Sequence, residues 1–221
     1  RNFNIVKGDE NFIIDGKLTD QAGDTLSLYF KNWSLANFNP FLESIPLELS
    51  GVTNGRFGIF RNENITNIFA GIKVSDFSFN EVFFGDAEFK THWLEADQAL
   101  AVDLNIFSKS SADDLYKILG VNGFYYPFDE KKNFDFDIAA QNLNISVLEP
   151  LLTSFSSHIE GFATGKLTLN GSNAKPLLLG RLKLQRAAMM VDYLNVVYSF
   201  SNEVVFNENM IQFNELTVYD A

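Results

Sequence analysis

Apolar and polar residues alternate with a period of two along most of this chain. Between Phe134 and Ala140, for example, Phe134, Phe136 and Ile138 alternate with Asp135 and Asp137. A period of two is typical of a β-strand that has one apolar face and one solvated face. The same alternation occurs at residues 26–30, 100–106, 166–170 and 181–185.

Polar breaks separate the alternating segments and have the composition of tight turns. Residues 20–24 and 170–173 are two such breaks, and 128–133 reads as an exposed turn. Successive segments follow one another after roughly ten residues, which leaves little room for crossover helices. The pattern therefore predicts an all-β fold with an antiparallel-rich sheet and disfavours a parallel α/β fold.

We expect two or three short helices in addition to the strands. The first two candidates are Asn37 to Ser44, capped by Asn37 with Pro40 in its first turn, and Ser146 to Phe155, capped by Ser146. The third candidate is Ser111 to Leu119, where Leu115, Ile118 and Leu119 would share one side and Gly120 would end the helix.

The chain also resembles itself at a fixed offset. Residues 33–42 match residues 143–152 at an offset of 110, and Gly51 and Gly55 fall on Gly161 and Gly165. Repetition of this kind indicates stacked units that bury their apolar faces against each other. We expect one continuous sheet over residues 1–221, cut from a longer array, with internal repeats at approximately 12–120 and 121–221.

Composition excludes several functional classes. The net charge of −11 disfavours nucleic acid and anionic membrane surfaces as partners, and the absence of Cys excludes thiol chemistry. The 23 Phe residues suit either a wide apolar surface or ordinary strand propensity. The chain contains neither a transmembrane-length apolar run nor a secretory signal pattern.

No residue pattern indicates an active site, a cofactor or a metal site. His92 and His158 are the only histidines, and neither has a metal-ligand or catalytic-triad context. Asp135 and Asp137 share one face of a strand, where a calcium or acid–base pair is conceivable, but their alternation with Phe places them on the solvated face. We therefore predict that the protein is not an enzyme.

One ordered series of motifs resembles a known family. It runs through Leu148-x-Pro150-Leu151-Leu152, Gly161-x-x-x-Gly165-x-Leu167-x-Leu169-x-Gly171 and Pro176-Leu177-x-x-Gly180-x-Leu182-x-Leu184, and it ends at Leu216–Asp220. The series is similar to the C-terminal region of the TamB family, the AsmA-like translocation and assembly module proteins, and Tyr125–Pro127 with Phe134–Phe136 resembles Bacteroidetes-type versions. The clear resemblance covers residues 121–221, and residues 12–120 follow as a divergent copy.

The resemblance implies an elongated, curled sheet, or β-taco, that is apolar inside and polar outside. It also implies a periplasmic location, a parent protein anchored in the inner membrane and contact with an outer-membrane barrel of the TamA type. The implied cargo is either lipid acyl chains or nascent outer-membrane strands. We expect the hydrophobic groove to be lined by eleven apolar residues: Leu26, Leu28, Leu104, Ile106, Phe134, Phe136, Ile138, Leu167, Leu169, Leu182 and Leu184.

Three functions remain open at this point. The first is a non-enzymatic conduit or chaperone for outer-membrane protein assembly or phospholipid transport between membranes. The second is a structural β-solenoid spacer with a closed, dry core. The third is a carbohydrate-binding or hydrolytic β-domain, which would need exposed Trp platforms or a close carboxylate pair, and Trp33 and Trp93 are the only Trp residues.

Overall fold

The computed structural model of the chain describes residues 3–19, 21, 23–42, 48–62, 65–109, 114–149, 156–194, 196–200 and 202–213. These residues form fourteen strands and two short 3-10 helices. The strands are β1 (Phe3–Lys7), β2 (Glu10–Gly16), β3 (Thr25–Ser34), β4 (Leu49–Asn62), β5 (Ile65–Phe79), β6 (Val82–Leu94), β7 (Ala99–Lys109), β8 (Leu115–Tyr125), β9 (Phe134–Asn144), β10 (Ser156–Gly171), β11 (Pro176–Val191), β12 (Val196–Phe200), β13 (Glu203–Asn207) and β14 (Met210–Phe213).

All fourteen strands belong to one antiparallel sheet that does not close on itself. Strands that follow each other in sequence are neighbours in the sheet, except that β12 and β13 both pair with β11 at different heights. The chain is 75% strand and 6% helix, so the all-β expectation is confirmed. No helix among the described residues has the length and hydropathy needed to cross a membrane.

The two described 3-10 helices begin earlier than predicted and have different caps. The first is a 3-10 helix at Leu35–Phe41 that follows Ser34, so Asn37 lies inside it and is not its cap. The second is a 3-10 helix at Ile145–Leu148, and its cap is Asn144, whose Oδ1 accepts a hydrogen bond from the Ser146 backbone N–H at 3.0 Å. The parts of the two predictions at 43–44 and 150–155 lie outside the described residues.

The predicted helix at Ser111 to Leu119 is wrong where the structure describes it, because Leu115–Leu119 begins strand β8. A register irregularity between Ile106 and Phe107 occurs opposite Ile118, and Ile118 is buried while Leu119 packs against the same apolar cluster. A β-bulge directs two consecutive side chains toward one region. The apparent helical spacing of Leu115, Ile118 and Leu119 is therefore the sequence pattern of a bulged strand.

Backbone irregularities form a band across the sheet, which we call the crease. Seven of the long strands contribute one or two residues with positive φ near the same end: Asn32, Gly51, Asp76, Gly85, Asn142, His158 with Gly161, and Arg186. The pairing register shifts close to these residues. Bulges bend a strand and increase its twist, so a row of them folds the sheet along a line perpendicular to its strands.

The crease repeats with the same offset of 110 residues as the sequence. Asn32 and Asn142 have φ values of 50° and 51°, and Asp76 and Arg186 have 53° and 50°. The backbone N–H of Asn32 donates to Asn54 Oδ1 at 2.9 Å, and that of Asn142 donates to Thr164 Oγ1 at 2.8 Å. An offset of 110 residues thus corresponds to a step of six strands, from β3 to β9.

The buried core lies beside the crease. One cluster is formed by Val74, Phe84, Ala87, Ile106 and Ile118, and residues of both helical regions, Leu35 and Val147, pack against it. A second cluster contains Ile145, Ile159, Ala163, Leu184, Ala187 and Val204. Beyond the crease, the longer parts of the strands extend as one wall of a trough that is about 60 Å long for thirteen strands side by side.

Candidate functional site: the apolar face of the sheet

The pairing register places all eleven predicted groove residues on one face of the sheet. Direct partners in antiparallel strands point to the same face, and Leu104 pairs with Val121, Val121 with Ile138, and Ile138 with Leu167. Leu26 and Leu28 reach the same face through the pairings of β3, β4, β5 and β6. The eleven residues therefore share one continuous apolar surface.

Burial divides these eleven residues into two groups. Ile106, Leu167 and Leu184 are buried, with exposed fractions of 5%, 9% and 9%. Ile106 and Leu184 belong to the two core clusters at the crease. The other eight are half-buried and form the part of the surface that we call the wall: Leu26, Leu28, Leu104, Phe134, Phe136, Ile138, Leu169 and Leu182.

The same face contains further apolar residues that are absent from the predicted set. They occupy β2, β4, β5, β6, β8 and β13, and they include Phe12, Ile14, Phe57, Ile59, Ile68, Ile72, Phe89, Val121 and Phe206. Three of them could have been predicted from the internal repeat, because Phe57, Ile59 and Ile72 match the predicted groove residues Leu167, Leu169 and Leu182 at the offset of 110. These residues fill the gaps between the predicted ones.

Close approach between strands requires glycine on this face, and Gly55 and Gly123 are two examples. Gly55 has a φ of 144°, and a Cβ there would lie 2.2 Å from the carbonyl oxygen of Gly71. Gly123 has a φ of 153°, and its Cβ would lie 2.0 Å from the carbonyl oxygen of Asp135. Such glycines permit sharp local bending of a sheet.

The opposite face is polar and includes Asp135 and Asp137. Lys132 Nζ donates to Asp135 Oδ2 at 2.7 Å, and Lys73 Nζ donates to Glu88 Oε1 at 2.8 Å. The hydrogen bond from Lys73 lowers the pKa of the Glu88 carboxyl below its usual value, although partial burial opposes this shift. These are ordinary surface ion pairs, which contribute little to stability.

A depression of about 600 Å³ also opens on the polar face, between β7 and β11. Its rim carries Asp103, Asp137, Lys117 and Lys166, so its formal charges balance. Within the described part of the chain, no group of three or more His, Cys, Asp and Glu residues could hold a metal ion.

Neither Trp residue forms the exposed platform that carbohydrate binding would need. Trp33 is 8% exposed, and its ring lies 5.3 Å from that of Phe12. Trp93 makes an edge contact with Phe128 at 6.0 Å, and its indole Nε1 is buried without a hydrogen-bond partner. The Trp side chains belong to the apolar surface.

The total solvent-accessible surface area is larger than that of a compact protein of the same mass, as expected if the wall is uncovered. A compact monomer of 24.9 kDa would expose about 10,000 Å². The chain exposes 13931 Å². Much of one sheet face is therefore open instead of being packed against a second layer.

Comparisons with family models, with curated proteins and with solved structures found no match to this chain. The fold and the apolar face define its class: an open, curled, all-β sheet protein with one continuous apolar surface. This geometry is the basis for a functional proposal.

Proposed function

We propose that the chain is a non-enzymatic segment of a cell-envelope protein whose apolar wall shelters hydrophobic cargo. The observation that carries this proposal is the unbroken apolar face across thirteen strands, eight of whose predicted residues remain half-buried in a sheet that does not close. Large contiguous apolar surfaces are rare on soluble monomers and mark sites of interaction.

An apolar wall suits cargo that has no fixed polar pattern. Apolar burial is non-directional, so an acyl chain or an unfolded apolar segment gains the same favourable free energy at each strand that it passes. With wall side chains repeating at about 4.8 Å from strand to strand, cargo would meet no polar barrier along the trough. This supports movement along the wall better than tight binding at one point.

The TamB resemblance gives the proposal its cellular setting. In that setting the segment lies in the periplasm, its parent protein is anchored in the inner membrane, and an outer-membrane barrel of the TamA type is its partner. The cargo is lipid acyl chains or nascent outer-membrane strands, in phospholipid transport or outer-membrane protein assembly. The half-buried wall favours this proposal over a structural spacer, which would need a closed and dry interior.

Site-specific photocrosslinking tests the proposal in cells. A photoreactive amino acid is placed at Leu28, Ile138 or Leu169 on the wall, and matched controls carry it at the adjacent polar-face positions Tyr29, Asp137 and Thr168. We expect crosslinks to lipid or to outer-membrane proteins from the wall positions only. Mass spectrometry of the adducts identifies which cargo is bound.

Two results would contradict the proposal. Equal crosslinking from both faces would mean that the contacts are nonspecific. A complete absence of wall adducts, with the protein folded and the photoreactive group active toward solvent, would favour the closed spacer.

A further inference from the structure

The connections between strands alternate between two edges of the sheet because every neighbouring pair is antiparallel. The described residues of six connections, at 8–9, 35–42 with 48, 80–81, 114, 145–149 and 192–194, lie at the edge next to the crease, which we call the crease edge. The described connection residues at 17–19, 21, 23–24, 95–98, 126–133, 172–175 and 208–209 lie at the opposite edge, which we call the far edge.

The two edges differ in charge. The described residues of the crease-edge connections include six carboxylates and neither Lys nor Arg: Asp9, Glu48, Glu81, Asp114, Glu149 and Asp192. The described residues of the far-edge connections also include six carboxylates, but four lysines accompany them: Lys17, Lys131, Lys132 and Lys175. The crease edge is therefore the more strongly negative edge of the protein.

Exposed apolar side chains accompany these charges. Phe41 and Tyr193 lie in crease-edge connections, and Phe83 and Leu115 lie at the crease-edge ends of β6 and β8. The exposed fractions of Phe41, Phe83, Leu115 and Tyr193 are 82%, 61%, 59% and 95%. Large apolar side chains that recur along one edge are a feature of interaction surfaces, in contrast to single exposed residues.

The spacing of these side chains fits an α-helix that lies across the strands. Neighbouring connections on one edge are two strands apart, which is about 10 Å. Residues seven positions apart on an α-helix recur at about 10.5 Å. From the first of these tips to the last, eight strand spacings cover about 38 Å, the length of a helix of about 25 residues.

The negative charge of the crease edge indicates which kind of partner can bind there. An anionic bilayer or a second copy of the same edge would bring negative charge against negative charge, which is unfavourable. A helix with one apolar stripe flanked by Lys and Arg would complement both the apolar tips and the carboxylates.

We infer that the crease edge is a docking surface for a basic amphipathic helix of a partner protein. The partner helix lies across the strands, places an apolar residue against each tip and pairs its basic residues with the carboxylates between them. This surface is separate from the apolar wall, and the inference does not depend on the cargo.

Fluorescence anisotropy with a model peptide tests the inference on the whole chain. The probe is a labelled 25-residue amphipathic helix of Leu and Lys, and its control is a scrambled peptide of the same composition. We expect Glu48→Lys with Glu81→Lys to raise the Kd about tenfold, since two rim charges are each worth about 0.7 kcal/mol on reversal. The matched far-edge variant, Asp97→Lys with Glu208→Lys, has the same net charge and should change the Kd less than about twofold.

A second pair of variants tests the apolar tips without changing the charge. Phe83→Ser with Tyr193→Ser should raise the Kd about tenfold, while Phe128→Ser with Leu18→Ser at the far edge should leave it nearly unchanged. Far-UV circular dichroism confirms that each variant is folded.

Four outcomes would overturn the inference. Equal weakening by crease-edge and far-edge variants, or equal binding of the scrambled peptide, would mean that only net charge matters. Binding to phosphatidylglycerol vesicles through the crease edge would identify a lipid surface instead. Self-association that the crease-edge variants abolish would identify a second copy as the occupant.

Discussion

Ile106 and Leu104 lie two residues apart on the same face of β7, but their surroundings differ. Ile106 is 5% exposed and belongs to the cluster at the crease, whereas Leu104 is half-buried and only packs against that cluster from the wall. Leu184 and Leu182 on β11 show the same difference at the second cluster. In both pairs, the residue nearer the crease is the more deeply buried one.

The comparison shows that one face has two structural roles. At the crease, bulged strands and the two 3-10 helices bring apolar groups together from several directions, which is the requirement for a well-packed core. On the wall, the eight side chains are only half-buried. The crease should therefore account for more of the folding stability, and the wall for the proposed contact with cargo.

Introducing a charge should give the largest difference in the free energy of unfolding between the crease and the wall. Leu184→Asp would place a carboxylate in the core cluster without a partner, so we expect it to lower the free energy of unfolding by about 4 kcal/mol or to prevent folding. Leu169→Asp on the wall leaves the carboxylate within reach of water, and we expect a loss of about 1 kcal/mol. Urea unfolding followed by circular dichroism measures both.

If Leu184→Asp does not fold, alanine variants at the same two positions still compare the crease with the wall. Leu184→Ala should cost about 3 kcal/mol, because it removes transfer free energy and leaves a cavity, and Leu169→Ala should cost about 1 kcal/mol. Equal losses at the two sites would show that the wall is packed as closely as the crease, and the distinction between them would be wrong.

The difference between crease and wall could not be read from the sequence. Alternation assigns a residue to a face, and it placed Ile106 and Leu104, or Leu184 and Leu169, in one class. Which of them is buried depends on bulges at positions such as Asn142 and Arg186, where non-glycine residues take positive φ. Asn is common in that conformation but Arg is not, so composition alone gives no signal for the row of bulges.

The antiparallel order of the sheet was easier to predict, because several strands show a period of two and polar breaks separate them. The failed helix at Ser111 to Leu119 marks the limit of that reasoning, since the bulge opposite Ile118 imitates helical spacing. The cap of the second helix shows a similar limit. Asn144 and Ser146 are both residue types that favour the cap position, and the structure selects Asn144 because its side chain reaches the Ser146 backbone N–H.

Glycine substitutions test how sharply the wall bends. Gly55→Ala would force a Cβ to within 2.2 Å of the Gly71 carbonyl oxygen at a φ of 144°, so we expect a loss of about 2 kcal/mol. Gly71 lies on the neighbouring strand with no atom within 4 Å of its ideal Cβ position. Gly71→Ala should therefore leave stability unchanged or raise it by about 0.5 kcal/mol. Similar losses in the two variants would mean that β4 and β5 are not held in close approach at Gly55.

A substitution on the polar face of the sheet should have the smallest effect on the free energy of unfolding. The Lys73 ammonium holds the pKa of the Glu88 carboxyl below its usual value of 4.5, so the ionised form is stabilised in the folded protein. That stability is present above the unfolded-state pKa and is lost as the pH falls through the lower pKa of the folded state. Because water and salt screen this exposed pair, Glu88→Gln should cost no more than about 0.5 kcal/mol at neutral pH.

Urea unfolding of both proteins at neutral pH and at about pH 3 should show the difference shrinking toward zero at the lower pH. A difference that persists in acid would show that Glu88 acts through packing on β6, and the polar face would then contribute to stability in the same way as the crease.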